Sequence, residues 1–225
     1  MKVGILMKVG IVGCGSIARF RHAPEYTECD GVEIAGYYDP NTERAQALAK
    51  DFGGRVYASF EDLIHDGSIQ AVSICSANIY HKDMTIQALK AGKHVLIEKP
   101  FALNLGEGRE LQAEAARQEK LALEAMWCDY APKYDVIRQL LEDGALGDLH
   151  TLLADHGEYF TRDHRIFNAD LAGGPMMDLG SYVTSFALMV GGMPQEIVAR
   201  GSATAEGLNG QTSMLFSWQN GMQGM

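Results

Sequence analysis

Met7-Lys8-Val9-Gly10-Ile11-Val12-Gly13-Cys14-Gly15-Ser16-Ile17-Ala18-Arg19 is the stretch around which the chain is organised. Lys8 to Val12 is a short apolar run with no room for a helix, and from Gly13 to Ala18 the apolar spacing changes from strand-like to helical. A strand, a tight turn and a helix start are predicted. Gly13 allows the sharp turn, Gly15 lets backbone N–H groups approach a diphosphate without a Cβ in the way, and Ala18 keeps the helix close to the strand. Unpaired N–H groups and the helix dipole favour negative charge at such a helix start, so Gly13, Gly15, Ser16 and Ile17 are the expected contacts. Glycine turns without ligands share this pattern, and the discriminating residue lies further on.

Val32-Glu33-Ile34-Ala35-Gly36-Tyr37-Tyr38-Asp39 reads as a second strand ending in an acid, about 20 residues beyond the turn, where a carboxylate meets an adenosine ribose. Asp39 can also help start the next helix together with Pro40, Asn41 and Thr42, and both roles can hold at once. A carboxylate on the ribose hydroxyls repels a 2′-phosphate, which favours NAD over NADP. Arg44 is the nearby group that could accommodate that phosphate.

The 225 residues suit one or two domains with a substantial core, and 47% hydrophobic with 21% charged residues is ordinary globular composition. A formal net charge of −10 without a basic run argues against a nucleic-acid surface. The longest apolar windows fall short of a membrane span, and the Val3 to Met7 run is too short for a signal peptide, so a cytoplasmic protein is expected. Cys14, Cys29, Cys75 and Cys128 form no C-x-x-C pair and suit free thiols rather than a disulfide framework or a zinc site. Met-Lys-Val-Gly-Ile occurs at 1–5 and again at 7–11, and the first copy is expected to be an overhang. The last residues, 221–225, show no closing element.

Helices are predicted from Asn41 to Phe52 with a Gly53-Gly54 stop, briefly after Ser59, from Tyr80 to Ala91, and from Asn104 to Glu119. Strands are predicted at 56–58, 71–76, 94–98 and 121–125. This alternation implies right-handed crossovers and a doubly wound parallel sheet covered on both faces. After Trp127 the pattern changes: a helix over Pro132 to Glu142, a long strand over His150 to Glu158, a helix over Met176 to Val190, and strands at 196–204 and 212–218. This is an α+β layer with a mostly antiparallel sheet. A domain boundary is expected near Cys128, giving a dinucleotide-binding domain over 1–128 and a second domain over 129–225 that share a cleft.

Ligands bind beyond the carboxyl ends of parallel strands, which singles out Ser76-Ala77-Asn78-Ile79-Tyr80-His81 and Glu98-Lys99-Pro100. Ser76, Asn78, His81, Glu98 and Lys99 are therefore candidate cofactor contacts. A lysine leaving a buried strand can hydrogen-bond a hydroxyl or polarise a carbonyl, and Glu98 can pair with it or orient it. The Lys99-Pro100 bond is the chain's candidate cis peptide. An arbitrary Glu-Lys-Pro would be a solvated turn, and a lone His81 a capping or packing residue.

Three blocks together resemble the Gfo/Idh/MocA oxidoreductases: Gly13-Cys14-Gly15-Ser16-Ile17-Ala18, then Ala88 through Pro100, then Gly173-Gly174-Pro175-Met176-Met177-Asp178-Leu179-Gly180-Ser181-Tyr182. The resemblance runs from Met7 to the end. It implies hydride transfer at nicotinamide on sugars, polyols or related alcohols, with Lys99 as the family's cleft lysine and Asp178 and Tyr182 in its D-x-G-x-[HY] motif. Asp178 and Tyr182 are four apart and predicted to share a helix face, and a phenol can move the proton of a carbonyl being reduced. Tyrosine at 182 is similar to the branch containing glucose-fructose oxidoreductase, dihydrodiol dehydrogenase and some xylose dehydrogenases.

Two departures bear on the substrate: Ala77 replaces the proline usual in the family's turn, and Asp129 sits where arginine is common. Arg162, His164 and Arg165 form a polar cluster that could touch substrate or line a solvated loop. His150 and His156 lack ligand spacing, and no metal is expected. Relatives continue past the equivalent of Met225, so a truncated form with an unpaired sheet edge is expected, and a homo-oligomer where that sheet is complete. Two rival functions are a catalytically impaired dinucleotide-binding sensor or partner subunit, and a redox-neutral lyase or glycosidase that uses NAD.

Overall fold

The computed structural model describes residues 6–205 and 207–225, so the doubled start at 1–5 lies outside the described residues. The chain divides into two compact units, the first ending at Ala125 and the second beginning at Met126.

In the first unit, β1 (Met7–Val12), β2 (Val32–Tyr38), β3 (Arg55–Val56), β4 (Ala71–Ile74), β5 (His94–Ile97) and β6 (Ala122–Glu124) form one sheet in the order β3-β2-β1-β4-β5-β6. Every pairing is parallel. The connecting helices are α1 (Ala23–Glu28), α2 (Thr42–Phe52), α3 (Phe60–His65), α4 (His81–Lys90) and α5 (Leu105–Gln118). Their starts follow the local chemistry expected from sequence. Asn41, Ser59 and Asn104 each accept from a backbone N–H two or three residues on, satisfying donors that a helix start leaves open.

The strand order reverses between β1 and β4, so the carboxyl ends of these two strands flank the crevice where such sheets take ligands. Both faces of the sheet are packed. Successive residues Ile11 and Val12 belong to separate core clusters, one with Tyr37 and Leu48 and the other with Leu63, Ile74 and Leu111. Alternation along a strand sends neighbouring side chains to opposite faces, and each fully buried aliphatic side chain stabilises by about 1.5–3 kcal/mol.

The second unit contains α6 (Pro132–Glu142), β7 (Thr151–Leu152), α7 (Pro175–Asp178), α8 (Gly180–Gly191), β8 (Glu196–Ala203), β9 (Asn209–Ser217) and β10 (Gln223–Gly224). Its sheet runs β7-β10-β9-β8, antiparallel except for the β7–β10 pair. Three expectations are corrected here. The long strand over His150 to Glu158 shrinks to Thr151–Leu152, because the segment it pairs with, Gln223 to Met225, offers backbone bonds only to His150, Leu152 and Ala154. The helix over Met176 to Val190 is interrupted at Leu179, just before Gly180, a residue that disfavours helix interiors. The residues after Gly221 do form an element, β10, which lies between β7 and β9.

Candidate functional site

The glycine turn is held against the end of β4. Gly13 has φ +86°, and a Cβ there would lie 2.7 Å from the Cys75 carbonyl and the Ser76 nitrogen, so only glycine fits. Gly15 differs: a Cβ would meet nothing within 4 Å and would project into open space over the helix start.

Asp39 spans this turn and the start of α2. Its Oδ2 accepts from the Cys14 N–H at 2.7 Å and its Oδ1 from the Asn41 N–H at 2.8 Å. The helix itself is capped by Asn41, which accepts from Glu43 N–H. Each Asp39 oxygen keeps a lone pair for a further donor such as a ribose hydroxyl. Burial, with Asp39 adding, pushes the Cys14 thiol up to about 12, so it stays protonated beside this carboxylate.

Ser76 and Asn78 follow β4. The Ser76 hydroxyl is buried without a hydrogen-bond partner, the kind of orphan a bound ligand satisfies. Asn78 is buried, and His81 is 1% exposed. Its Nδ1 lies 2.9 Å from the Pro100 carbonyl and its Nε2 3.1 Å from the Ser76 carbonyl, so His81 ties the two strand ends together. The open cradle over Gly15, the positioned carboxylate of Asp39 and the orphaned Ser76 hydroxyl all fit a dinucleotide.

At the end of β5 the Lys99-Pro100 peptide is cis, as expected. Glu98 is engaged in a way that the sequence did not suggest. Its Oε1 lies 2.8 Å from His22 Nε2, His22 being buried and Glu98 mostly so, and its Oε2 accepts from the Lys99 N–H at 3.2 Å. Burial, with Glu98 adding, holds the Cys75 thiol well above its ordinary value.

In the second unit Asp178 closes α7 and Tyr182 lies in the first turn of α8, so the single helix expected to carry both is two short ones. Asp178 is buried and pairs with Arg165 at 3.3 Å. Trp127 Nε1 donates to the Tyr182 hydroxyl at 3.2 Å with the rings edge to face. The His156 ring lies 5.2 Å from that of Tyr182, and its Nε2 is 2.9 Å from Glu158 Oε1.

Trp127, His156 and His22 are the residues that sequence reasoning missed as members of a site. Of the cluster at 162–165, Arg165 reaches Asp178, while His164 caps the next turn and stacks on Phe160. Asp129 accepts from the Ser185 hydroxyl at 3.2 Å. His156, Glu158, Met176 and Leu179 help line an open groove of about 1140 Å³ in this unit.

A parallel sheet in the order 3-2-1-4-5-6, a glycine turn opening on a helix start and an acid closing the second strand define a dinucleotide-binding Rossmann unit. The chain belongs to the Gfo/Idh/MocA oxidoreductase family: residues 7–125 match the family described as "Oxidoreductase family, NAD-binding Rossmann fold", and residues 134–225 match the GFO/IDH/MocA C-terminal domain.

It is 35% identical over 184 residues to trans-1,2-dihydrobenzene-1,2-diol dehydrogenase of Oryctolagus cuniculus, covering 80% of this chain and 56% of that one. The Mus musculus enzyme of the same name is 30% identical over 222 residues, covering 97% and 67%. The chain thus spans little more than half the length of the rabbit relative. Among solved structures, a 3-ketoreductase from Actinomadura kijaniata in complex with NADP and TDP-benzene superposes with a TM-score of 0.91 at 24% identity, over 97% of this chain and 68% of that one. An NAD-binding protein from Listeria innocua gives 0.82 at 23% identity, over 97% and 65%. Among the described residues, no helix is long and apolar enough to cross a membrane.

Proposed function

We propose that this chain carries the cofactor-binding and proton-handling residues of an NAD(P)-dependent dehydrogenase or reductase that acts on a CH–OH group of a sugar, polyol or related alcohol. The observation that carries this reading is the Asp39 carboxylate, anchored 2.7 Å from a glycine-turn N–H with a lone pair to spare on each oxygen. The diol dehydrogenases among its relatives support a hydroxylated substrate. We assign the first unit to the nucleotide and the second to the substrate.

The bound nucleotide supplies the hydride chemistry. Gly13, Gly15, Ser16 and Ile17 present the helix start to its diphosphate, and Asp39 takes the ribose hydroxyls, which favours NAD over NADP. Ser76, Asn78 and His81 shape the crevice at the end of β4. Lys99 polarises the substrate oxygen, and Tyr182 gives or takes its proton with the Trp127 N–H stabilising the phenolate form. Asp178 orients substrate from its pairing with Arg165. A reducing compartment such as the cytoplasm suits the four free thiols, and the sheet of the second unit is the surface we assign to self-association.

Lys99→Met is expected to abolish turnover across a panel of sugars and polyols, followed as NADH absorbance, while the NAD dissociation constant from fluorescence titration stays within about threefold of the parent. Turnover by that variant comparable to the parent would overturn the role of Lys99. Asp39→Ala is expected to weaken NAD by about tenfold or more, the loss of hydrogen bonds to a charged acceptor.

A further inference from the structure

The helix that opens at the glycine turn does not run straight into α1. Ala18–His22 form a π-helical turn, closed by the Ala23 N–H on the Ala18 carbonyl. Such turns are rare and are frequent at functional sites. One extra residue rotates every later side chain by roughly 100° about the axis, relative to an unbroken α-helix. Around this turn Phe20 is 71% exposed, and Arg19 and Arg21 pair with exposed acids. His22 alone of the charged or titratable residues in the turn is buried.

His22 reaches the end of β5, where its Nε2 meets Glu98 Oε1 at 2.8 Å, the two side chains being 8% and 12% exposed. The other oxygen of the same carboxylate holds the Lys99 N–H. A buried carboxylate is tolerated only with donors on it, and these two provide them. With its proton on Nε2 the neutral ring donates to the carboxylate as the imidazolium does, so the link needs no charged histidine.

Two further groups beside this pair are uncharged. Tyr26 of α1 lies edge-on to the His22 ring, is bonded to Ser73 of β4, and has its hydroxyl pushed up to about 12 by burial. Cys75, after β4, keeps its proton because burial and Glu98 both disfavour the thiolate.

We propose that His22 is a positioning residue for Lys99. The π-turn carries the imidazole of the diphosphate-binding helix onto Glu98, and Glu98 in turn fixes the backbone from which the lysine projects. This rests on the reading above, in which Lys99 acts on the substrate oxygen, and it adds that the helix under the diphosphate and the loop bearing the lysine form one mechanical unit.

The test compares His22→Leu, which removes the donor, with His22→Gln, whose amide nitrogen can stand near the position of Nε2. In the leucine variant the ¹⁵N-resolved amide of Lys99 is expected to move and to exchange with solvent at least about tenfold faster. Its kcat is expected to fall on the order of tenfold to a hundredfold, with the NAD dissociation constant within about threefold. His22→Gln is expected to restore both readouts. An unchanged Lys99 amide in the leucine variant, or a glutamine variant as impaired as the leucine one, would overturn the proposal. Should the leucine variant not fold, His22→Asn takes its place, since that amide falls one methylene short of Glu98. Absence of turnover in the parent chain would count against the proposed function alone, because the amide readout needs no substrate.

Discussion

In the first unit residues Val9 to Val12 and Val72 to Ile74 are all buried, whereas none of the eight residues of β8 is. The sheet of the first unit lies between two layers of helix, and its strands are specified by continuous apolar runs. β8 is specified by its ladder, which pairs with β9 from Glu196–Ser217 through Ala203–Asn209. Helix α8, apolar along most of its length, buries only Ala187, which joins Phe216, Trp218 and Met222 in the small core of its unit. Burial thus stabilises the nucleotide unit, and backbone pairing contributes relatively more to the second. The two units should respond differently to the same kind of change.

The largest contrast is in core truncation. Ile97→Ala in β5 is expected to cost about 2–5 kcal/mol, while Ile197→Ala in β8 is expected to stay within about 0.5 kcal/mol, both measured by denaturant unfolding. A large cost at Ile197 would mean that the exposed face of β8 is covered in solution, and the comparison would fail.

Next comes acid sensitivity. Hydrogen bonds from Ser68 and Tyr57, with Arg55 adding its charge, hold the Asp66 carboxyl well below its ordinary range. With the folded value below the unfolded one, the unfolded chain binds the extra proton. The contribution is therefore complete above about pH 5 and drains away as the pH falls through the folded value. Asp66→Asn should flatten the acid limb of the first unit's unfolding transition and leave that of the second unit unchanged; parallel changes in both limbs would show that the units do not unfold independently.

The smallest effect concerns thiol exposure. Cys29 is exposed, while Cys14, Cys75 and Cys128 are buried with raised values. Under native conditions a disulfide reagent at pH 8 should label Cys29 first, then Cys128 of the less buried unit, and Cys14 and Cys75 last. Labelling of Cys75 ahead of Cys128 would reverse this order of local stability.

Sequence reading went furthest where one local rule sufficed. Asn41, Ser59 and Asn104 announced helix starts, α6 came out with the same bounds, and the run from Val32 to Asp39 placed an acid at the turn. It went wrong at His150 to Glu158, where apolar spacing alone suggested a strand, because a strand extends only as far as a partner offers hydrogen bonds. It also joined α7 to α8, because the break at Leu179 leaves the apolar periodicity intact. His22 was passed over since its distance from Glu98, 76 residues along the chain, appears in no local window. Trp127 and His156 escaped for the same reason, each meeting Tyr182 across a long sequence separation.

By itself, then, the amino-acid order determined the sheet of alternating strands and helices, the glycine turn, its acid and the family these imply, since strand burial, helix capping and turn geometry act over a few residues. Only the tertiary structure decided which donors close on Glu98, what surrounds the Tyr182 hydroxyl, and which face of each strand is left to solvent. Those outcomes depend on contacts between distant segments, where a buried polar group must take whichever partner the packing brings within hydrogen-bond reach.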